Sequence, residues 1–256
     1  MRLLFIGDVV GQCGCEFLMK ALPDYKKENG VDVCIANGEN SAQGNGVTPV
    51  SCKMLYDSGV DFITLGNHSF KRPEIMEYLD KEPTIIRPYN FPGGAPGRGI
   101  GIIDKGKYRI AVINLMGTVY MEALNNPFYE IDEALKEIDD CKTVIVDFHA
   151  EATAEKRSMG YFLDGRVTAL LGTHTHIQTA DAQLLPKGTA YITDVGMTGP
   201  RDSVLGIEPE LAIKKMKSHL PVRFVNAKGR CVMNGCLIDI DEKTGKATYI
   251  KRVVLK

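Results

Sequence analysis

Gly172-Thr-His-Thr-His-Ile177 is the stretch around which the chain is organised. It follows an apolar run, residues 167–171, that is typical of a buried strand. His174 and His176 are two residues apart, and in extended backbone this spacing places both imidazoles on the same side. Two imidazoles on one face just after a strand form half of a transition-metal site. The alternative is a pair of exposed loop histidines.

Length, charge and cysteine content narrow the class of protein. The chain has 256 residues, enough for one large domain or two small ones with a sizeable core. Its net charge is −1 and its basic residues form no stripe, which argues against a general nucleic-acid-binding protein. Seven cysteines without a CxxC motif, in a chain with no signal-peptide pattern, predict a reducing, cytoplasmic environment. No apolar run reaches the length of a membrane span, so no membrane association is expected.

The N-terminal part of the chain alternates strand patterns with helix patterns. Residues 3–6, 31–36 and 62–65 predict strands, and residues 11–29 and 48–58 predict the helices between them. Such a βαβαβ succession is typical of a sheet whose strands run in parallel.

The remainder is richer in strands. Residues 101–104 and 108–115 predict a hairpin, residues 143–147 a buried strand, and residues 129–138 and 153–163 helices. Further strands are predicted towards the end, at 190–193, 222–225, 232–240 and 247–254. The succession predicts a layered α/β protein with a mixed sheet or two packed sheets, because each sheet face needs a covering layer.

Polar side chains follow five of the predicted strands. In open α/β sheets, ligands collect at the carboxyl ends of the strands. The residues at these ends are Asp8, Glu39 with Asn40, Asn67 with His68, His149, and His174 with His176. Each motif alone is weak, but together they supply carboxylate and amide oxygens and several imidazoles without a thiolate. That set is sufficient for two hard-to-borderline metal ions.

The order and spacing of these residues resemble the metallophosphoesterase superfamily, also called calcineurin-like phosphoesterases. Its motifs run GDxH, GDxx(D/N), GNH(E/D), then a His, then GHxH. The corresponding stretches here are Gly7-Asp8, Gly38-Glu39-Asn40, Gly66-Asn67-His68, His149 and Gly172-Thr-His174-Thr-His176.

The chain departs from that pattern at four places. Val10 stands where the superfamily has a His, Glu39 where most members have Asp, and Ser69 where an acid follows the Asn-His pair. One extra residue separates Gly172 from His174. These departures, with the stretches HAEATAEK, GTHTHIQTAD and ITDVGMTGPRDS, resemble one bacterial branch, the YmdB-type phosphodiesterases.

The resemblance covers the chain from residue 1 to its C-terminal strands. It implies a single domain over residues 1–256 with the four-layer αββα sandwich of the metallophosphoesterases, and a homo-oligomer. It also implies two transition-metal ions. The first would be bound by Asp8, Glu39, Asn40 and His176, and the second by Glu39, Asn67, His149 and His174. Glu39 would bridge the two ions, and the amide oxygen of Asn40 would replace the missing His, which leaves iron, manganese and zinc all open.

The activity implied is hydrolysis of cyclic or small nucleotide phosphodiesters, such as 2′,3′-cyclic nucleotides, through attack by a metal-bridged hydroxide. His68 would bind no metal and would protonate the leaving alkoxide, a role suited to an imidazole. The alternative for His68 is a turn residue that only positions Asn67. Phosphomonoester hydrolysis and slow or non-hydrolytic nucleotide sensing are the competing functions. Lys156 and Arg201 are either phosphate contacts or ordinary surface charges.

Overall fold

Two β-sheets face each other in a computed structural model of the chain, which describes residues 1–138 and 141–256. Its strands are, in chain order, β1 (Arg2–Ile6), β2 (Asp8–Val9), β3 (Val33–Asn37), β4 (Phe62–Thr64), β5 (Ile85–Ile86), β6 (Ile100–Asp104), β7 (Arg109–Met116), β8 (Thr143–His149), β9 (Ala169–Thr173), β10 (Gln183–Leu184), β11 (Ala190–Ile192), β12 (Met197–Pro200), β13 (Cys231–Ile240) and β14 (Ala247–Leu255). The helices are α1 (Gly11–Asn29), α2 (Pro49–Asp57), α3 (Ile75–Lys81), α4 (Pro127–Lys136), α5 (Thr153–Leu163) and α6 (Pro209–Ser218).

The two sheets are both mixed. The first has the strand order β2-β12-β13-β1-β3-β4-β5, with β14 also paired to β13. In it β1, β3, β4 and β5 are parallel, while β13 runs antiparallel to β1. The second sheet has the order β10-β11-β9-β8-β7-β6, with parallel central strands and antiparallel edges. Parallel neighbours end at the same edge, so each sheet brings several strand ends together.

The space between the sheets is filled by apolar side chains from both of them. Phe5 and Ile35 of the first sheet pack in one cluster with Val112 and Leu171 of the second. Each fully buried side chain of this kind contributes about 1.5–3 kcal/mol relative to an exposed one.

Helices cover the outer faces of both sheets. α1, α2 and α3 pack on the first sheet through residues that include Leu18 and Leu55. α4 and α5 pack on the second through residues that include Ile131 and Met159. The layers are therefore helix, sheet, sheet and helix, and the predicted αββα sandwich is confirmed.

Local sequence signals account for the helix ends that position the site. α1 ends at Gly30, whose φ of 62° is left-handed and favours glycine. α2 begins after Thr48, whose hydroxyl accepts from the Ser51 N–H at 3.1 Å, with Pro49 in the first turn. The predicted spans of α1 and α5 agree with the structure.

The segment around residues 201–230 was the least accurately predicted. The strand expected at 222–225 is wrong, because these residues pair with no strand in the described chain. These residues are mostly exposed. α6 was not predicted, and its apolar side chains Ile213 and Met216 are exposed. No helix among the described residues is long and apolar enough to cross a membrane.

A buried ion pair ties α5 to the end of β11. Lys156 Nζ donates to Asp194 Oδ2 at 2.8 Å, and both side chains are essentially inaccessible, at 1% and 0% exposure. Lys156 is therefore neither a phosphate contact nor a surface charge, and its alkyl chain lies within the packed interior. Pairing and hydrogen bonding are what make a charge tolerable at such a position.

Replacing Lys156 with Met should lower the free energy of unfolding by about 3–5 kcal/mol, because the Asp194 side chain would be left in the interior without its cationic partner. Lys53→Met is the matched control. It removes a lysine from α2 whose Nζ also lies 2.8 Å from a carboxylate, that of Asp57, but at the surface. Its expected cost is below about 1 kcal/mol. Chemical denaturation measures both values, and equal costs would contradict the role given to the buried pair.

Candidate metal centre

The strand ends of the two sheets meet at one edge of the sandwich, and the predicted site residues lie there. The first sheet supplies the oxygen-bearing side chains: Asp8 starts β2, Glu39 follows β3 and Asn67 follows β4. The second sheet supplies imidazoles: His149 ends β8, and His174 follows β9. His176 follows two residues later on the same loop. The structure thus brings together every residue predicted to bind metal, although metal binding itself stays a prediction.

One group of ligand atoms surrounds His149 Nε2. Asn67 Oδ1 lies 2.9 Å from it, His174 Nδ1 3.0 Å and Glu39 Oε1 3.3 Å. Glu39, His149 and His174 each offer an atom within 4.8 Å of the other two. These four side chains are the set expected around the second ion.

A second group lies around His176 Nε2. Asp8 Oδ1 is 3.6 Å away and Asn40 Nδ2 is 3.4 Å away. Asn40 Nδ2 also donates to Glu39 Oε1 at 2.9 Å, so Glu39 contacts both groups. Asp8 Oδ1 is buried and has no hydrogen-bond partner among the described residues. An unpartnered buried carboxylate oxygen is costly, and a cation would satisfy it.

Each imidazole keeps one nitrogen for the site, because its other nitrogen is occupied outside. His149 Nδ1 lies 2.9 Å from Thr173 Oγ1, which itself donates to Asp147. His176 Nδ1 lies 3.1 Å from the Leu205 carbonyl oxygen. His174 is reversed: its Nε2 lies 3.1 Å from a Glu151 carboxylate oxygen, which leaves Nδ1 for the site. Outer hydrogen bonds of this type orient metal-binding imidazoles and fix their tautomers.

The buried carboxylates of Asp8 and Glu39 need positive charge beside them. Burial raises the pKa of the Glu39 carboxyl, but the charge and hydrogen bond of His149 and the contact with His68 outweigh it, so the pKa is well below its usual value. The pKa of Asp8 is likewise lowered, since His176 and His149 outweigh its burial. Two buried carboxylates therefore remain charged and need compensation.

The imidazoles respond to this charge in opposite ways. Burial lowers the pKa of His149, but Glu39 and Asp8 raise it to about 9, so His149 carries the compensating proton in the ion-free protein. Burial, followed by the positive charge of His149, lowers the pKa of His174 to about 4, so His174 keeps a free lone pair. A cation bound among these atoms would take over the role of the His149 proton. The residues present therefore fit a cation site.

The loop that carries His174 and His176 does not have the extended backbone expected from the spacing. Their φ values of 103° and 65° are positive, a conformation that side-chain-bearing residues rarely adopt. Asp194 Oδ2 holds the loop between them, since it accepts from the Thr175 N–H at 3.0 Å and the Thr175 hydroxyl at 2.7 Å. The two imidazoles share the site because of this fixed turn, not because of strand periodicity.

Gly66 leaves room for the side chains of Glu39 and His149 to approach each other closely. A Cβ on Gly66 would overlap the side chains of both Glu39 and His149. The glycine of the Gly-Asn-His motif is thus required by close approach and not by an unusual φ.

His68 lies at the rim of the site. Its backbone N–H donates to Glu39 Oε2 at 3.0 Å, and its Nδ1 lies 2.9 Å from Asn40 Oδ1. Its Nε2 makes no hydrogen bond within residues 1–138 and 141–256. His68, Glu39 and the two loop histidines line a cavity of about 310 Å³, which we call the site cavity.

The outer partners of the imidazoles were missed by sequence reasoning. Asp147 is fully buried within β8, where it accepts from Asn37 Nδ2 at 2.9 Å and from the hydroxyls of Thr64 and Thr173. A carboxylate inside the apolar run of β8 was the one available signal for it. Glu151 offered none, because its contact with His174 depends on the shape of the histidine loop.

Comparisons with known proteins identify relatives along the whole chain. A family model described as "YmdB-like protein" matches residues 4–253. The chain is 47% identical to a 2′,3′-cyclic-nucleotide 2′-phosphodiesterase of Bacillus subtilis (strain 168), over 100% of the chain and 97% of that protein. The crystal structure of a novel phosphatase from Mycoplasma pneumoniae superposes with a TM-score of 0.94 at 33% identity, covering 100% of this chain and 93% of that one.

A more distant likeness concerns the fold alone. The structure of an NAD nucleotidase from Haemophilus influenzae superposes with a TM-score of 0.58 at 12% identity. It covers 99% of this chain and 55% of that one.

Gly66→Ala tests whether the close approach of Glu39 and His149 is needed for binding a cation. The added methyl group should displace both side chains, so the rise in melting temperature caused by Mn²⁺ should shrink or disappear. Gly93→Ala is the control, because a Cβ there would meet nothing within 4 Å and its φ is not positive. Thermal melts of the ion-free variants with and without Mn²⁺ give the measurement. An undiminished shift in Gly66→Ala would contradict the assignment.

Proposed function

The chain belongs to the YmdB-like family of metallophosphoesterases, and on this premise we propose that it is a metal-dependent phosphodiesterase that hydrolyses cyclic or small nucleotide diesters. The observation that carries the proposal is the contact of Glu39 with both groups of ligand atoms, beside a cavity that His68 lines. The name of the Bacillus subtilis relative supports 2′,3′-cyclic nucleotides as the first substrates to test.

We propose two ions, held by the two groups of side chains. Asp8, Glu39, Asn40 and His176 would hold the first, and Glu39, Asn67, His149 and His174 the second. When bound, such a pair supplies Lewis-acid activation of water and stabilises charge on the phosphoryl oxygens. Iron, manganese and zinc are all compatible with this mixture of carboxylate, amide and imidazole ligands.

The chain's own residues supply orientation and proton transfer. Hydrolysis forms a bond between a water oxygen and phosphorus and breaks the bond to one ribose oxygen, which must gain a proton as it leaves. His68 is the group proposed to donate that proton, since it lines the site cavity and its Nε2 is unoccupied among the described residues. Glu39 and Asn40, which contact His68, would hold its ring in place.

Asn40 connects the proposed metal ligands to His68. Its Nδ2 faces Glu39 and His176, while its Oδ1 faces His68 Nδ1. To act as a general acid His68 must carry a proton on each ring nitrogen, so that Nδ1 donates to an acceptor such as Asn40 Oδ1 while Nε2 gives its proton to the leaving group.

Phosphomonoester hydrolysis is the second candidate, because the Mycoplasma pneumoniae neighbour is named a phosphatase. A panel that includes 2′,3′-cAMP, bis-p-nitrophenyl phosphate and p-nitrophenyl phosphate, assayed with Fe²⁺, Mn²⁺ and Zn²⁺ in turn, separates the two functions. Activity confined to the monoester would overturn the diesterase proposal. A cytoplasmic location and a homo-oligomer stay predictions, the latter open to light scattering.

The first prediction of this proposal concerns metal content. Protein purified without chelators should contain about two ions per chain. Glu39→Gln keeps the size of the side chain but removes its charge and turns one acceptor into a donor, so it should contain at least one ion fewer and lose turnover. Elemental analysis and activity on the same preparations give the result, with exposed Glu210→Gln as the control. Full metal content in Glu39→Gln would exclude the bridging position.

The second prediction concerns His68 as the proton donor to the leaving group. His68→Ala should keep both ions and lose about 10²–10⁴-fold in rate on 2′,3′-cAMP, whose alkoxide leaving group needs a proton. The loss on bis-p-nitrophenyl phosphate should be smaller, since p-nitrophenolate leaves without protonation. Steady-state rates of wild type and His68→Ala on both substrates test this difference. An equal loss on the two would make His68 a binding residue only, and a loss of metal would make it a ligand.

A further inference from the structure

A second cavity adjoins the site cavity. It has a volume of about 810 Å³ and lies between the start of α1, residues 43–44 and the segment 223–228. Its chemically distinctive lining residues are Gln12, Gln43, Arg72, Arg223, Phe224 and Lys228. We call it the basic groove.

Asn226 forms the wall that the two cavities share. It lines both of them, and its Oδ1 accepts from the Gly44 N–H at 3.3 Å. Asn45, the next residue along that loop, lines the site cavity. A molecule bound beside His68 can therefore extend into the basic groove without crossing another element.

The groove concentrates positive charge in a chain whose net charge is −1. Arg72, Arg223 and Lys228 line it, and no Asp or Glu does. None of the three forms an ion pair with a carboxylate in the part of the chain that the structure describes. Their charge is therefore not neutralised locally, which is the condition for attracting an anion.

The other lining groups suit a nucleotide. Arg72 donates to the backbone carbonyl oxygens of Gln43 and Asn45, and these hydrogen bonds hold its charge at the groove wall. Phe224 is 44% exposed and lines the same space. Exposed aromatic rings beside cations are a usual means of binding bases next to phosphates.

We propose that the basic groove binds a second phosphate group of the substrate, one that is not hydrolysed. The inference rests on the proposed diesterase function and narrows its substrate class. The preferred substrates would be 2′,3′-cyclic nucleotides that carry a further phosphate. That phosphate is either a terminal 5′-phosphate or the internucleotide phosphate of a short RNA ending in a cyclic phosphate.

Three substrates separate these sources. Adenosine 2′,3′-cyclic phosphate has no second phosphate, its 5′-phosphorylated form has a terminal one, and the dinucleotide ApA with a 2′,3′-cyclic phosphate has an internucleotide one. The variant is Arg223→Ala with Lys228→Ala, both exposed residues that the mechanism does not use. The matched control is Lys246→Ala with Lys251→Ala, which removes the same charge from exposed positions outside the groove.

The wild-type enzyme should favour at least one doubly phosphorylated substrate in kcat/KM, mostly through KM. Each cation removed should lower that preference by about five-fold at low salt, while hydrolysis of adenosine 2′,3′-cyclic phosphate and all rates of the control stay unchanged. The preference should also fall as salt is added. Which substrate shows the gain identifies the source of the phosphate.

Two results would overturn the inference. One is a wild-type enzyme that hydrolyses all three substrates equally well. The other is a preference that survives in the groove variant or is lost equally in the control. Either leaves the diesterase function intact, because adenosine 2′,3′-cyclic phosphate is still hydrolysed. Failure of that substrate in every protein would instead reject the proposed function.

Discussion

The burial of two charged carboxylates is the constraint to which the rest of the site responds. Asp8 and Glu39 are 0% and 1% exposed, and their pKa values stay low only because positive charge lies against them. Without an ion, the proton on His149 provides much of that charge. The outer contacts of the imidazoles fit the same arrangement, since each leaves one nitrogen facing the interior of the site. The side chains are therefore already in position without an ion, and such preorganisation would reduce the cost of binding one.

The division of ligands between the sheets explains why the sandwich must be held in fixed register. The oxygen-bearing side chains of the candidate centre come from one sheet and the imidazoles from the other, so a small sliding motion of the sheets would separate them. Asp147 resists such sliding, because it belongs to the second sheet and its carboxylate accepts hydrogen bonds from Asn37 and Thr64 of the first. Asp194 accepts a hydrogen bond from Thr175 of the loop that carries His174 and His176, and the ion pair with Lys156 fixes the position of Asp194. These buried polar contacts fix the relative positions of the two sheets more than they add to the free energy of unfolding.

The parts of the molecule that could be predicted are those encoded by local pattern. The strand ends, α1 with its Gly30 stop and the Gly-Asn-His motif are visible in consecutive residues. The turn at His174 and His176, the buried position of Lys156 and the role of Glu151 are not, because each depends on a partner distant in sequence. The segment 222–225 shows the reverse error: its apolar residues suggest a strand, but its backbone hydrogen bond from the Glu208 N–H and the isolated bridge between Ile207 and Asn226 do not extend into a ladder.

The pairing of β1 with β13 has a consequence for how the protein is made. Leu4 lies opposite Leu237, and β2, the next strand in the chain, pairs with β12, so Asp8 is seated by a strand that is synthesised much later. Chains emerge from the ribosome with the N-terminus first. One edge of β1 therefore stays unpaired until residue 240 has left the exit tunnel of the ribosome. Any ion held at the proposed centre would therefore bind late, after the strands that seat Asp8 have been synthesised.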